Sequence, residues 1–106
     1  MAKKYNTAYV VQASGYDFGN LMELCDKIEF ITTGYESDQD LPAVIGGVLS
    51  GYNPMADLLV PVGNVATNLL VGIEAERIRA EVNYRSISVA FYRDRKYEIQ
   101  TFKKEK

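Results

Sequence analysis

Three short polar clusters hold most of the side chains in this chain that could bind a small ligand. Each cluster follows an apolar run and combines a glycine with hydroxyl, amide or carboxylate groups. Aromatic rings can stack on a nucleobase, while hydroxyls and amides can hold ribose and phosphate, so the clusters together suit a nucleotide-like ligand. The clusters are Ser14, Gly15, Tyr16 and Asp17, then Thr32, Thr33, Gly34 and Tyr35, then Gly63, Asn64, Thr67 and Asn68.

The first two clusters match the base and the ribose of such a ligand. A base would stack on Tyr16 or Tyr35, because an aromatic ring accepts any base. Asp17 and Thr33 would bind the ribose hydroxyls. The same residues also suit strand-to-helix turns, and Asp17 fits an N-cap as well as a ribose acceptor. Both interpretations stay open for each loop, and the convergence of the loops is what favours a binding site.

The third cluster begins a predicted helix and suits a phosphate. Gly63, Asn64 and Thr67 lie where backbone N–H groups and the helix dipole favour an anion. Arg93 and Arg95 would add positive charge. The segment contains neither a G-x-G-x-x-G pattern nor a Walker loop. The ligand class is therefore indicated by the types of the side chains and not by a specific motif.

The apolar runs ahead of these clusters predict three parallel strands, over residues 7–13, 27–33 and 57–62. Helices are predicted over about 18–26, from a cap at Ser37 or Asp38 with Pro42 in the first turn, and over about 65–82. Right-handed crossovers bring the ends of neighbouring parallel strands to one edge of a sheet. The three clusters should therefore meet there, where ligands bind in open α/β sheets.

A hairpin is predicted to close the chain. Residues 86–91 and 97–102 alternate with period two, and residues 93–95 form the turn between them. The element order is β-α-β-α-β-α-β-β. With 106 residues, the chain is expected to be a single α/β domain over residues 1–106. It should be a small three-layer-like fold with a mostly parallel sheet closed by the C-terminal hairpin.

Helical spacing also predicts how the helices pack. In the second helix, Gly46 and Gly47 fit either close packing on a neighbour or a bend, and close packing is the simpler interpretation. The charged later half of the third helix is expected to face solvent or another subunit. The buried face predicted for the third helix consists of Val65, Ala66, Leu69, Leu70, Ile73 and Ala80.

The composition narrows the chemistry. The chain has no histidine, which removes the commonest general base and zinc ligand, so we expect no catalytic residue, metal or cofactor. Its one cysteine, Cys25, lies in an apolar stretch and should be a core residue. The formal net charge of −2 does not fit a partner that is a nucleic-acid polymer. Without a membrane-spanning run or a signal-type segment, we expect a cytoplasmic protein with no membrane partner.

Several segments together resemble a group of small phage-encoded α/β proteins. They are Ser14-Gly15-Tyr16-Asp17-Phe18, residues 28–34, residues 58–73 and residues 89–97. That group includes sponges that sequester nucleotide messengers of bacterial immunity, such as cyclic ADP-ribose species and cyclic dinucleotides. The resemblance implies a binding role without catalysis, and it includes Phe18 among the expected ligand contacts.

The leading hypothesis is sequestration of a nucleotide-type signalling molecule at the carboxyl ends of the parallel strands, by a homo-oligomer. The alternative is a protein-interaction module that binds a host or virion protein through the edge of the C-terminal hairpin. A phosphodiesterase acting on the same ligands is a third interpretation, which turnover with an added divalent metal would reveal.

Overall fold

The computed structural model describes residues 4–13 and 20–103. The predictions for Ser14, Gly15, Tyr16, Asp17 and Phe18 therefore concern residues outside the described part of the chain. The elements in chain order are β1 (Tyr5–Gln12), α1 (Leu21–Leu24), β2 (Cys25–Thr32), α2 (Leu41–Leu49), β3 (Leu58–Val60), α3 (Val65–Glu81), β4 (Ser86–Arg93) and β5 (Lys96–Lys103).

The strands form one sheet in the order β2-β1-β3-β4-β5. β1 pairs in parallel with β2 and β3, β3 pairs in parallel with β4, and β4 and β5 are antiparallel. The predicted α/β class, with a mostly parallel sheet and a C-terminal hairpin, is confirmed. The loops after β1, β2 and β3 leave the sheet at the same edge, which we call the carboxyl edge.

β1 lies between two other strands of the sheet, and this position accounts for its apolar sequence. Ala8 pairs with Ile28 on one side and with Leu58 on the other. Every residue from Ala8 to Val11 is buried. A parallel strand covered on both faces is expected to be continuously apolar, and this strand is.

Helices cover both faces of the sheet. On one face, α2 and α3 pack through Ile45, Leu49 and Val71. On the opposite face, Leu21 of α1 packs in the cluster that contains Val10. The fold therefore has three layers, with two helices on one side and the four-residue α1 on the other.

The first helix and the strands beside it differ in length from the prediction. β1 begins at Tyr5 and ends at Gln12, and α1 ends at Leu24. Cys25 is extended and pairs with Tyr5, so β2 takes residues that helical spacing had assigned to the helix. The core role predicted for Cys25 is confirmed, since its buried thiol donates to the carbonyl oxygen of Leu21 at 3.2 Å.

β3 is also shorter than the predicted 57–62. It ends at Val60, just before Pro61, which has no N–H to donate to a sheet. Asp57 precedes the strand, and its buried carboxylate accepts the N–H of Thr7 at 3.1 Å and that of Asn53 at 2.8 Å. Burial raises the pKa of Asp57 despite these two hydrogen bonds.

The N-cap of α2 lies three residues after the first predicted cap. Its N-cap is Asp40 and not Ser37 or Asp38, and Pro42 lies in the first turn as predicted. The Oγ of Ser37 accepts the N–H of Asp40 at 3.2 Å. Ser37 therefore closes the turn ahead of the helix instead of capping it.

The close packing predicted at Gly46 and Gly47 is wrong. Among the described residues, no atom outside α2 lies within 4 Å of the position that a Cβ on either glycine would occupy. Both glycines face open space in the single chain.

The inner face predicted for α3 is also largely wrong. Val65, Leu69 and Ile73 are exposed, while Leu70 is half-buried against the core. The first half of α3 is apolar on nearly all sides, so spacing alone could not choose the face. The face that packs inward is narrower than the predicted one. Its buried residues are Thr67, Val71, Ala75 and Arg79.

The end of α3 is fixed by backbone geometry and one buried cation. Asn83 has a positive φ of 58°. Its N–H donates to Ala80, and the N–H of Tyr84 donates to Arg79, which is a Schellman motif. The guanidinium of Arg79 pairs with Glu76 at 2.6 Å and donates to the carbonyl oxygen of Tyr84. Part of the charged half predicted to be outside is therefore inside.

The hairpin turn is narrower than predicted. Arg93 still pairs with Lys96, so the loop has two residues, Asp94 and Arg95. Both have positive φ, 53° and 68°. This is the geometry of a type I′ turn, which Asn-Gly normally supplies.

Candidate functional site

The crevice at the carboxyl edge lies where the strand order reverses. From β1 the chain moves through α1 to β2 on one side, and from β2 it moves through α2 to β3 on the other side of β1. α1 and α2 cover opposite faces of the sheet. The connections therefore diverge between the ends of β1 and β3. In open α/β sheets this switch point is the usual ligand crevice.

A cleft of about 220 Å³ opens at this place. It receives residues from the ends of β1 and β2, from the loop before α2 and from the first turn of α3. The residues that line it are Gln12, Thr32, Gly34, Glu36, Asp38, Leu41, Asn64, Ala66 and Thr67.

The structure brings together some of the predicted site residues and separates others. Thr32, Gly34, Asn64 and Thr67 line the cleft. Thr33 and Gly63 adjoin it in the same two loops. The remaining described residues of the predicted site, which are outside its lining, are Tyr35, Arg93 and Arg95.

Gln12, which sequence analysis did not single out, fills the bottom of the crevice. Its Oε1 accepts the N–H of Asn64 at 3.1 Å. Gly34 and Gly63 flank it with φ of 94° and 88°. A Cβ on Gly34 would lie 2.8 Å from the Gln12 Nε2, and a Cβ on Gly63 would collide with Oε1. Both glycines are thus required by their positive φ, and at Gly63 a Cβ would also lie 2.8 Å from the Cβ of Gln12.

Glu36 occupies the backbone donors of the loop after β2. Its carboxylate accepts the N–H of Thr33 at 2.8 Å, the hydroxyl of Thr33 at 3.0 Å and the N–H of Gly34 at 3.1 Å. The N–H of Thr33 is the main reason that the pKa of Glu36 is lowered. These donors were predicted to meet a ligand, and the protein's own carboxylate already satisfies them.

Thr32 is turned inward. Its Oγ1 donates to the carbonyl oxygen of Val11 at 2.7 Å, and the residue is buried. Thr32 therefore shapes the wall of the cleft and ties the end of β2 to β1. Its hydroxyl proton is engaged within the protein.

The first turn of α3 keeps donors at the cleft. The N-cap predicted at Asn64 is confirmed, because its Oδ1 accepts the N–H of Thr67 at 3.2 Å. The N–H of Asn64 itself binds Gln12. Within the described structure, the N–H groups of Val65 and Ala66 have no hydrogen-bond acceptor. Ala66 lines the cleft, and Val65 precedes it in the first turn of α3.

The charge of the cleft differs from the expectation of a basic phosphate site. Glu36 and Asp38 line it, and none of its described lining residues is a lysine or arginine. Arg93 and Arg95 lie at the exposed hairpin turn instead. Tyr35 is 94% exposed in the loop after β2. A ligand here meets carboxylates on one side and α3 amides on the other.

The sequence gives only weak signals for the cleft residues that were not predicted. Gln12 is a polar residue that ends an apolar strand, and Glu36 follows a Thr-Gly pair that offers free amides. Leu41 and Ala66 are ordinary first-turn residues of helices, so nothing in their type indicates a cleft.

Residues 4–13 and 20–103 contain no group of three or more histidine, cysteine or carboxylate side chains placed to hold a metal ion. In the same residues, no helix is both long enough and apolar enough to cross a membrane.

Comparison of the chain with protein-family models, with curated proteins and with solved structures finds no match. The functional argument therefore depends on the cleft and the surfaces of this chain.

Proposed function

We propose that this chain binds and sequesters a nucleotide-type signalling molecule, of the cyclic ADP-ribose or cyclic dinucleotide class, in the cleft at the carboxyl edge. The observation that carries the proposal is the pair of unpaired N–H groups of Val65 and Ala66 beside the cleft. Backbone amides at a helix N-terminus favour a phosphate. Their position at the switch point of the sheet supports a ligand site.

The carboxylates of the cleft favour a phosphodiester over a terminal phosphate. A phosphodiester carries one negative charge, whereas a terminal phosphate carries about 1.5 to 2 at neutral pH. Glu36 and Asp38 repel the second charge more than the first. Cyclic ADP-ribose and cyclic dinucleotides contain no terminal phosphate, which supports this class.

The two carboxylates have different roles in the proposal. Glu36 is held by Thr33 and Gly34 and keeps the loop in shape. Asp38 has no hydrogen-bond or ion-pair partner for its side chain among the described residues. We assign Asp38 to accept a ribose hydroxyl, in the role that sequence analysis gave to Thr33.

The size of the cleft sets how much of the ligand it encloses. Drug-sized pockets measure roughly 300–1,000 Å³, and this cleft measures about 220 Å³. It suits a ribose with one phosphate, with the base lying outside. Tyr35 stays the proposed stacking residue because its ring is exposed. The residues that follow β1, Ser14 to Asp17, stay part of the proposed contacts.

Isothermal titration calorimetry with cyclic ADP-ribose and cyclic dinucleotides tests the proposal. Val65→Pro removes one N–H, and the backbone tolerates it because Asn64 already has φ −65° and ψ 133°. We expect at least about tenfold weaker binding, the loss of one charge-assisted hydrogen bond. Val65→Ala, which keeps the N–H, should bind like the native chain. No binding by the native chain, or equal affinity of both variants, would contradict the proposal.

The alternative function, binding of a host or virion protein through the hairpin, is supported by one observation. β5 is the last strand of the sheet order and so presents an edge. This function predicts that charge reversal at Arg93 and Arg95 abolishes binding of the partner protein in cells, while Thr33→Ala and Asn64→Ala leave that binding intact. The ligand function predicts the opposite pattern, with Thr33→Ala acting through the lost hydrogen bond to Glu36 that shapes the loop. The same four substitutions therefore distinguish the two.

A further inference from the structure

One third of the chain is almost free of charge. From Leu41 to Ile73, the only charged residue is Asp57, which is buried. This stretch includes all of α2 and the first nine residues of α3. The two helices lie side by side on the same face of the sheet. Their outer surface is therefore uncharged from α2 to the middle of α3.

The same surface exposes large apolar side chains. Val65, Leu69 and Ile73 are 74%, 64% and 68% exposed, and they lie four residues apart on one stripe of α3. A groove between the helices, lined by Pro42, Ile45, Leu70, Ile73 and Glu74, measures about 150 Å³. Contiguous apolar patches of this kind mark interaction surfaces in soluble proteins.

Three helical glycines on these two helices have no packing partner among the described residues. Gly46, Gly47 and Gly72 would each place a Cβ in open space. Glycine destabilises a helix relative to alanine, so alanine would be preferred at all three positions in an isolated molecule. Glycine allows the backbone of another helix to approach closely, and no described helix of the same chain does so here.

We propose that the outer surface of α2 and of the first nine residues of α3, the helix face, binds a second copy of this chain to form a two-fold dimer. Near a two-fold axis each residue meets its own copy, so a charge there would face a like charge. Among the described residues that line the groove, the one charged side chain is Glu74, which Arg77 of the same helix neutralises at 2.6 Å. The helix face therefore suits an equally neutral partner, such as the same face of a second copy. A membrane-surface helix would instead be flanked by lysine and arginine, and α2 has neither.

The area of the helix face sets the expected affinity. Nine residues of α2 form about 13 Å of helix, and the uncharged part of α3 is equally long. Two such helices, packed about 10 Å apart, bury on the order of 1,000 Å² in a symmetric dimer, which is at the lower limit for a specific interface. We therefore expect a reversible, concentration-dependent dimer. This inference is independent of the proposed ligand.

Sedimentation equilibrium over a concentration series tests the dimer. Leu69→Lys places a charge in the helix face and should raise the dimer dissociation constant at least about tenfold. Val82→Lys is the matched control, because Val82 is also an exposed apolar residue near α3 but lies beyond its last turn. The control should leave the dissociation constant unchanged.

Gly47→Ala should stabilise the fold of the monomer but weaken the dimer, so it separates folding from association. In dilute, monomeric protein it should raise the melting temperature, since the added methyl meets no atom. In the dimer it should weaken association by holding the facing helices apart. A native chain that stays monomeric at its highest soluble concentration would overturn the inference. So would a dimer that neither Leu69→Lys nor Gly47→Ala weakens.

Discussion

Gln12 shows how a single side chain sets the conformation of two loops. Its amide lies between Gly34 and Gly63, which both have positive φ, and it holds the N–H of Asn64. The polar end of an otherwise apolar strand thus determines where the loops after β2 and β3 can run. The crevice that sequence analysis assigned to the loop residues is shaped by the strand residue between them.

The first prediction compares two glycines of different surroundings. Gly63→Ala should destabilise the chain by about 1–2 kcal/mol or more, from the positive φ alone, with a further contribution from the collision with Gln12. Gly72→Ala should stabilise it by about 0.5–1 kcal/mol, because its Cβ meets no atom within a helix. Urea denaturation of dilute protein measures both. Equal effects of the two substitutions would contradict the geometry of the crevice.

The second prediction concerns the pH dependence of the loop after β2. The hydrogen bonds from Thr33 lower the pKa of Glu36 below its ordinary value of 4.5. A carboxyl group whose pKa is lower in the folded state stabilises that state above the unfolded pKa, and this contribution is lost as pH falls through the folded pKa. Burial raises the pKa of Asp57, whose contribution therefore has the opposite sign.

The Glu36→Gln variant separates the two groups. Its free energy of unfolding should lie below that of the native chain near neutral pH. The difference between them should shrink as the pH falls below 4.5, because only the native chain loses the Glu36 contribution. Urea denaturation at a series of pH values measures this. A difference that stays constant with pH would show that Glu36 is not held by the loop amides.

Residue types alone identified the cap at Asn64 and the loops that meet at the carboxyl edge. They could not show that Glu36 turns back onto the amides of Thr33 and Gly34, because that contact depends on the loop conformation. The same limit applies to Arg93 and Arg95. Their spacing placed them near a turn, but the sheet order puts two strands between β4 and β2.

At the scale of elements, periodicity identified strands and helices better than it identified their faces. α3 begins at the predicted residue, yet Val65, Leu69 and Ile73 are exposed. Apolar residues surround its first half, so two stripes competed for the core. The stripe with Thr67 and Ala75 packs on the core. The exposed stripe is the one that we assign to the dimer.

The segment before α1 shows a contact that no local pattern predicts. The side-chain amide of Asn20 donates to the carbonyl oxygen of Tyr97 at 3.2 Å and accepts its N–H at 2.9 Å. Tyr97 lies next to the hairpin turn at a position of the ladder where both backbone groups point away from β4. Asn20 therefore covers part of the β5 edge, although it lies 77 residues before Tyr97 in the chain.

The third prediction tests the hairpin turn. Arg95 has a φ of 68°, which costs a residue with a side chain about 1 kcal/mol. Arg95→Gly should remove that cost and raise the melting temperature by roughly 4–8 °C in a domain of this size. Arg95→Ala removes the same charge but keeps the positive φ, so it should leave the melting temperature nearly unchanged. A larger rise for alanine than for glycine would contradict the type I′ turn.

At the scale of the whole molecule, the sequence predicted the layers and the parallel core correctly. Three apolar runs with intervening helices define that arrangement, because parallel strands require crossovers. The order of the strands, which creates the switch point between β1 and β3, follows from packing of α1 and α2 on opposite faces. That choice depends on contacts among distant residues, and local spacing does not contain it.

Ligand content is the property of the whole molecule on which the account depends. Native mass spectrometry of the chain purified from cells, followed by denaturation and mass analysis of what is released, measures it directly. The account predicts a released cyclic nucleotide, held by the native chain and by Val65→Ala but not by Val65→Pro. A native chain that carries nothing, and that gains no adduct when challenged with cyclic ADP-ribose and cyclic dinucleotides, would contradict it.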